Sequence, residues 1–391
     1  MNRPYIPRYH AAVIGAGLVG ASTALSLARA GLNVALVEPR VSELPKEEWD
    51  SRVYAISPGS EAFLDRMGAW KHLDAGRVQT VYRMDVSGDR QGNLLMDAYE
   101  AGVPKLASIL ESGRLQQALW EAIRQQDRMT VMCPAEVTTV EWGDRYSRLR
   151  LTDGRILEAE LIVGAEGRAS HIRKLAGIEA RIEPYSQSGV VANFSVEVPH
   201  RGTAFQWFRH GDIIAYLPLP GNRMSLVWST STEHAQELVN LPADVFCEQV
   251  REAGLGRLGQ LQLLTPATAF PLSLMQVSMP VKPGCALVGD AAHGVHPLAG
   301  QGVNLGFGDA ETLANVLAGR GSASCGDAEL LQRYARRRVE PVARMQAVTD
   351  GLLRLFRMDS ELPATARNFG MKVLDRIGPL KSAMIHEAFF N

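Results

Sequence analysis

Glycines and single carboxylates stand together at three places where an apolar run gives way to a polar turn, a pairing suited to holding phosphates and polyol hydroxyls. The first is Gly15-Ala-Gly17-Leu18-Val-Gly20, preceded by the short apolar strand Ala11-Ala-Val-Ile14 and opening a helical stretch over 18–30. Gly31 reads as its C-cap, 33–37 as a second strand, and Glu38 stands at the end of that strand. In such a βαβ unit Gly15 permits the tight turn, Gly17 lets backbone approach a pyrophosphate, and Gly20 lets helix pack closely on strand. The phosphates then meet the free N–H groups of the first helical turn, from Leu18 onward, and the positive end of the helix dipole. Glu38 is placed to accept hydrogen bonds from ribose hydroxyls. The fingerprint by itself does not separate NAD from FAD.

Two downstream segments bear on that choice. Leu161-Ile-Val-Gly164-Ala-Glu166-Gly167-Arg-Ala-Ser170 is an apolar strand ending in a glycine-containing polar turn. Cys285-Ala-Leu-Val-Gly289-Asp290-Ala-Ala-His293 is another buried strand, ending in Gly-Asp, and it runs into Pro297-Leu-Ala-Gly300-Gln301-Gly302-Val303-Asn304-Leu-Gly306 at the start of a helix over 303–317. One carboxylate delivered beside a glycine-rich helix start suits a phosphorylated polyol carrying a large planar ring. Asp290 can accept from a ribitol hydroxyl, and the N–H groups around Gly300 to Asn304 face whatever negative charge lies at that helix end.

These three segments, in this order, resemble the class A flavoprotein monooxygenases typified by para-hydroxybenzoate hydroxylase. The run from Gly289 to Gly306 is most similar to the FAD-dependent hydroxylases of ubiquinone biosynthesis, and Asp50-Ser-Arg52-Val-Tyr-Ala-Ile-Ser57 and Leu110-Glu-Ser-Gly-Arg114-Leu agree with them. The resemblance implies FAD as cofactor, NADH or NADPH as reductant and O2 as co-substrate, with a flavin C4a-hydroperoxide attacking an electron-rich phenol ring. It places Arg52 and Arg114 against the flavin or its pyrophosphate, and Pro297, Gly300 and Gln301 at the reacting face. His293 is an acid/base candidate, while Gln301 and Asn304 are candidates for polar contacts to the isoalloxazine. Glu166 stands where the family carries Asp. The implied substrate is a polyprenylated phenol, which in turn suggests a membrane-associated quinone-synthesis complex as partner. Other readings on the same scaffold are a prenyl reductase, a hydroxylase of a small soluble phenol and a non-catalytic flavin-binding subunit. The WxWxIP segment of the related halogenases is absent.

Residues serving one cofactor from 15 to 306 require a discontinuous domain. The expected fold is α/β: a Rossmann-like FAD-binding domain with a parallel sheet (1–75, 105–179 and 280–350), interleaved with a mostly antiparallel β-sheet substrate domain (76–104 and 180–279), plus C-terminal helices and a tail over 351–391. The runs 189–198, 213–217 and 224–229 supply the sheet's β-like pattern, and Phe205 and Trp207 are candidates for its pocket. A second match, Gly254-Leu-Gly256-Arg-Leu-Gly259, follows a polar helical stretch and reads as a helix C-cap.

Composition sets the outer bounds. With 41 Lys+Arg against 42 Asp+Glu and 46% hydrophobic residues, the 391-residue chain is neither disordered nor a nucleic-acid binder. Cys133, Cys247, Cys285 and Cys325 form no CxxC pair, so neither a disulfide framework nor a metal site is expected. The expected setting is the cytoplasm, peripheral to the inner membrane, with the basic cluster Arg333, Arg336, Arg337 and Arg338 and the amphipathic stretch 352–390 turned to an anionic surface. Arg3 and Arg8 before an apolar run resemble a secretory signal, but the βαβ reading accounts for more of the segment.

Overall fold

The computed structural model describes residues 6–41, 47–89, 92–209, 211–296, 302–357 and 382. Apolar runs with no polar alternation build the first sheet, as expected of strands covered on both faces. Its central path runs Val281–Lys282, Cys285–Leu287, Ile156–Gly164, Arg8–Ile14, Val34–Val37, Met129–Met132, and the pairs among the last five are parallel. The antiparallel strands Val137–Glu141 and Ser147–Leu151 extend it from Ile156–Gly164.

Helices α1 (Leu18–Arg29), α2 (Pro58–Arg66), α3 (Ser112–Arg124), α7 (Gly302–Ala318) and α8 (Ala328–Arg357) contribute to a core on one face of this sheet, where Ala11, Val13, Leu161 and Val163 point. Ala12, Ile14 and Ile162 point to the opposite face, toward α4 (His171–Leu175). Helix α1 is buried almost all round because it lies between the sheet and α7. The apolar segment beginning at residue 11 therefore supplies the end of a central strand, a turn and the buried helix α1.

The second sheet is antiparallel except where Thr203–Arg209 pairs with Arg83–Ser87. It orders His293–Gly294, Thr268–Val277, Ala180–Val196, Arg223–Ser231, Asp212–Leu219, Thr203–Arg209, Arg83–Ser87, Asn93–Asp97. Period-2 alternation gives it two apolar faces. Ile214, Tyr216 and Leu226 pack under α5 (Thr232–Val239) and α6 (Ala243–Ala253), whereas Ile213, Leu217 and Phe208 face a small sheet of Val53–Ile56, Ala107–Glu111 and Gln79–Val81. The stretch 76–104 divides between these two sheets. Helix α8 runs through Pro341 and across position 350, while Gly254 caps α6 in the turn read as such from the sequence.

Candidate active site

The three glycine-carboxylate turns meet at the C-terminal ends of neighbouring parallel strands, the usual place for a ligand in an α/β sheet. Gly15 has φ +96°, and a Cβ there would lie 2.7 Å from the Ala165 carbonyl oxygen. A Cβ on Gly20 would overlap the Gly15 carbonyl oxygen. At Gly17 the added carbon would meet nothing within 4 Å. The glycines thus divide the work: two allow close packing and one leaves open space over the start of α1. That helix has no side-chain cap and no acidic residue in its first turn, so its N–H groups remain available to an anion. Leu18 is buried and can offer only its backbone. This cradle fits a dinucleotide pyrophosphate.

Glu38 closes the far side of the turn. Its Oε2 accepts from the Ala16 N–H at 2.6 Å and its Oε1 from the Arg40 N–H at 3.1 Å, while Gln116 Nε2 on α3 donates to the Ala16 carbonyl at 2.6 Å. Glu166, expected from the sequence as a cofactor contact, ends the second turn and accepts from the start of α4. Its Oε2 accepts from Ser170 Oγ at 2.6 Å and the Ile172 N–H at 3.0 Å, and its Oε1 from the His171 N–H at 3.3 Å. The carboxylate therefore caps α4. Nearby, the buried Arg173 donates to the Ala291 carbonyl at 3.0 Å and the Arg168 carbonyl at 2.6 Å, tying the second turn to the third. Burial pushes its pKa below the usual arginine value. Arg173 lies within the segment singled out in the sequence, but nothing local marks its partner 118 residues away.

Gly289 packs directly on α1, where its Cβ would lie 3.0 Å from Val19 Cγ1. Asp290 beside it keeps a side chain 53% exposed, with Arg168 Nε at 3.7 Å from Oδ2. The carboxylate is thus delivered to the open edge of the cradle with one loose ionic neighbour. His293 points elsewhere. Its Nε2 lies 2.7 Å from Oδ2 of the fully buried Asp309, which also accepts from the Gly289 N–H at 2.8 Å and, through Oδ1, from Arg338 Nε at 2.6 Å. Burial pushes the Asp309 carboxyl up, but His293 and Arg338 outweigh it and hold the group below the ordinary aspartate value.

Arg338 therefore leaves the surface cluster expected on α8: its side chain is 11% exposed and its charge is spent on Asp309. Arg333, Arg336 and Arg337 remain exposed. Asn304, expected beside the flavin ring, donates from Nδ2 to the Ala55 carbonyl at 2.9 Å and accepts from the Ser57 N–H at 3.1 Å, joining α7 to the strand Val53–Ile56. Gly302 and the buried Val303 open α7. Pro297, Gly300 and Gln301 lie outside the described residues, as does most of 352–390.

Around the start of α3, Glu111 is 2% exposed and receives Arg77 at 2.8 Å through both oxygens, Arg114 Nε at 3.2 Å and the Asp50 N–H at 2.8 Å. Asp50 in turn accepts from the Gly113 and Arg52 N–H groups. The Arg52 side chain is exposed and forms no ion pair with a described residue. Trp207 and Phe205, pocket candidates in the sequence, stack at 5.9 Å on the face turned to α5 and α6, away from the small sheet. Two residues apart on the strand Thr203–Arg209, they share one face, and it is packing that decides what that face meets.

An uncapped helix start behind a glycine turn, with Glu38 and Asp290 at the C-terminal ends of strands of the same parallel sheet, belongs to an α/β fold that carries a second, mostly antiparallel sheet. Residues 8–349 match the FAD binding domain family, and the chain belongs to it. It is 34% identical over 379 residues to the ubiquinone hydroxylase UbiL of Rhodospirillum rubrum, covering 96% of this chain and 88% of that protein. It is also 34% identical over 379 residues to the 3-demethoxyubiquinol 3-hydroxylase of Escherichia coli, covering 95% of each. Its fold superposes on the crystal structure of p-nitrophenol 4-monooxygenase PnpA from Pseudomonas putida with a TM-score of 0.79 over 97% of both chains, at 17% identity.

Proposed function

We propose that this chain is an FAD-dependent monooxygenase that hydroxylates the aromatic ring of a polyprenylated phenol in ubiquinone biosynthesis. The observation that carries the reading is the near full-length likeness to two ubiquinone-pathway hydroxylases, in a chain whose three turns converge on one cofactor cradle. When bound, FAD supplies electron transfer from NADH or NADPH to O2 and delivery of one oxygen atom to the ring, the other leaving as water.

The chain's own residues bind, orient and exclude water. The Gly17–Leu18 backbone and the α1 dipole hold the pyrophosphate, Glu38 the ribose, and Asp290 a ribitol hydroxyl. The N–H groups opening α7, from Gly302 to Asn304, offset negative charge on the reduced ring system. Phe208, Ile213 and Leu217 of the second sheet pack on Ala55 and Ile109 of the small sheet, an apolar seam that ties the substrate domain to the cofactor domain and keeps water out between them. For Pro297, Gly300 and Gln301 the role at the reacting face rests on the sequence resemblance alone.

Asp290 gives this assignment its sharpest local test. Asp290→Ala should weaken FAD binding by about tenfold or more, because a charge-assisted hydrogen bond to the polyol is lost. Equilibrium titration of the apoprotein with FAD reads the effect, and an unchanged dissociation constant removes Asp290 from the cofactor site.

Among the described residues no helix is long and apolar enough to cross a membrane. A prenylated substrate nevertheless resides in a bilayer, and the exposed Arg336 and Arg337 present positive charge beside Arg333, which pairs with Glu329 at 2.7 Å. The enzyme should therefore co-sediment with membranes or a membrane-bound quinone-synthesis assembly at low salt and be released at high salt. Complete recovery in the soluble fraction at low salt, with quinone synthesis intact, contradicts peripheral attachment.

A further inference from the structure

We infer that His293, Asp309 and Arg338 form a buried clamp that positions the Asp290 turn for the cofactor, making His293 a positioning residue. The inference rests on the assignment of Asp290 above. Asp309 Oδ2 takes both the Gly289 N–H at 2.8 Å and His293 Nε2 at 2.7 Å, so one oxygen holds the residue before Asp290 and the residue three after it. Oδ1 takes Arg338 Nε at 2.6 Å, and Arg338 Nη2 donates to the Leu305 carbonyl on α7 at 3.0 Å. His293 itself belongs to the strand His293–Gly294, which pairs with Gln276 and Met275 of the second sheet.

One carboxylate thus joins the end of the strand Cys285–Leu287, helices α7 and α8, and the edge of the second sheet. With Gly289 already pressed on Val19, the clamp fixes the backbone on both sides of Asp290, and so the point from which its carboxylate reaches the cradle. A group fixed before binding need not be ordered by the ligand, and that difference appears in affinity.

Geometry also supplies a means of repair. A cavity of about 530 Å³ is lined by His293, Asp309 and Arg338 together with Val339, Val342 and Gln346. Deleting the His293 ring leaves a gap continuous with this cavity. The volume admits free imidazole, which can restore the donor to Asp309.

The test is FAD titration of apo His293→Ala by flavin fluorescence, with and without added imidazole, beside His293→Gln, whose amide keeps a donor toward Asp309. The clamp predicts a rise of about tenfold in the FAD dissociation constant for His293→Ala, with recovery to within about threefold by imidazole and by His293→Gln. Binding within twofold of wild type for His293→Ala overturns it, as does a loss that neither imidazole nor His293→Gln repairs. Should His293→Ala fail to fold, Arg338→Ala with and without added guanidinium decides by the same readout and thresholds. A normal His293→Ala beside a weakened Asp290→Ala discards the clamp alone, whereas normal binding in both discards the Asp290 assignment as well.

Discussion

Gly20→Ala is expected to give a protein that retains almost no FAD and is destabilised by about 3 kcal/mol or more. The added methyl would overlap the Gly15 carbonyl oxygen and touch Ala165 Cβ at 3.0 Å. Both neighbours belong to short turns pinned between buried strands, so relief requires α1 to lift from the sheet. Lifting α1 carries its N–H groups away from the pyrophosphate position and opens the core that Val13, Leu25 and Phe307 share. Gly17→Val separates the two effects. Its side chain enters open space, so the variant should fold with near wild-type stability yet exclude the pyrophosphate. Thermal unfolding of the apoproteins and FAD titration check the pair, and equal stability loss in both variants contradicts the division of roles.

The second large effect is expected at Glu111, where Glu111→Ala should cost about 3–5 kcal/mol. A carboxylate 2% exposed is shared by two guanidinium groups, and its removal takes the counter-charge from both, although Arg77 keeps the Glu47 and Glu48 carbonyls and the Trp49 ring. The Asp50 N–H loses its acceptor as well. Because Asp50 holds the Gly113 N–H at the start of α3, the segment bearing Arg52 and Arg114 loses its register against the cofactor site. Denaturant unfolding should show the loss, and Glu111→Gln should recover part of it. A Glu111→Ala protein of wild-type stability would contradict a stabilising role for this shared carboxylate.

Short-range features were legible in the sequence. Gly15, Gly17, Gly20 and Glu38 lie within one βαβ unit, and their spacing prescribes the turn without help from the rest of the chain. Asp290 was legible too, since a carboxylate after Val-Gly at a strand end emerges at the sheet's edge. What could not be read were partners distant along the chain. Arg338 looks like one member of a basic helix face, and only the fold brings Asp309 beneath it. Asn304 sits in a glycine-rich motif, yet its amide binds the backbone of residues 55 and 57. Glu166 carries one methylene more than the family's Asp, and composition gives no sign that the carboxylate turns back to cap α4. Phe205 and Trp207 illustrate the same limit in a strand: alternation assigns residues to a face, and packing decides what that face meets.

The most direct test of the central claim is the stoichiometry of the purified, FAD-loaded protein with a prenylated phenol. NAD(P)H consumption, oxygen uptake, hydroxylated product and hydrogen peroxide are followed together. Hydroxylation predicts reductant, oxygen and product in a ratio of about one to one to one, with little peroxide, and oxidation accelerated by the phenol. Substrate-independent oxidation that returns all the oxygen as peroxide, or reduction of the prenyl chain without oxygen uptake, would contradict it.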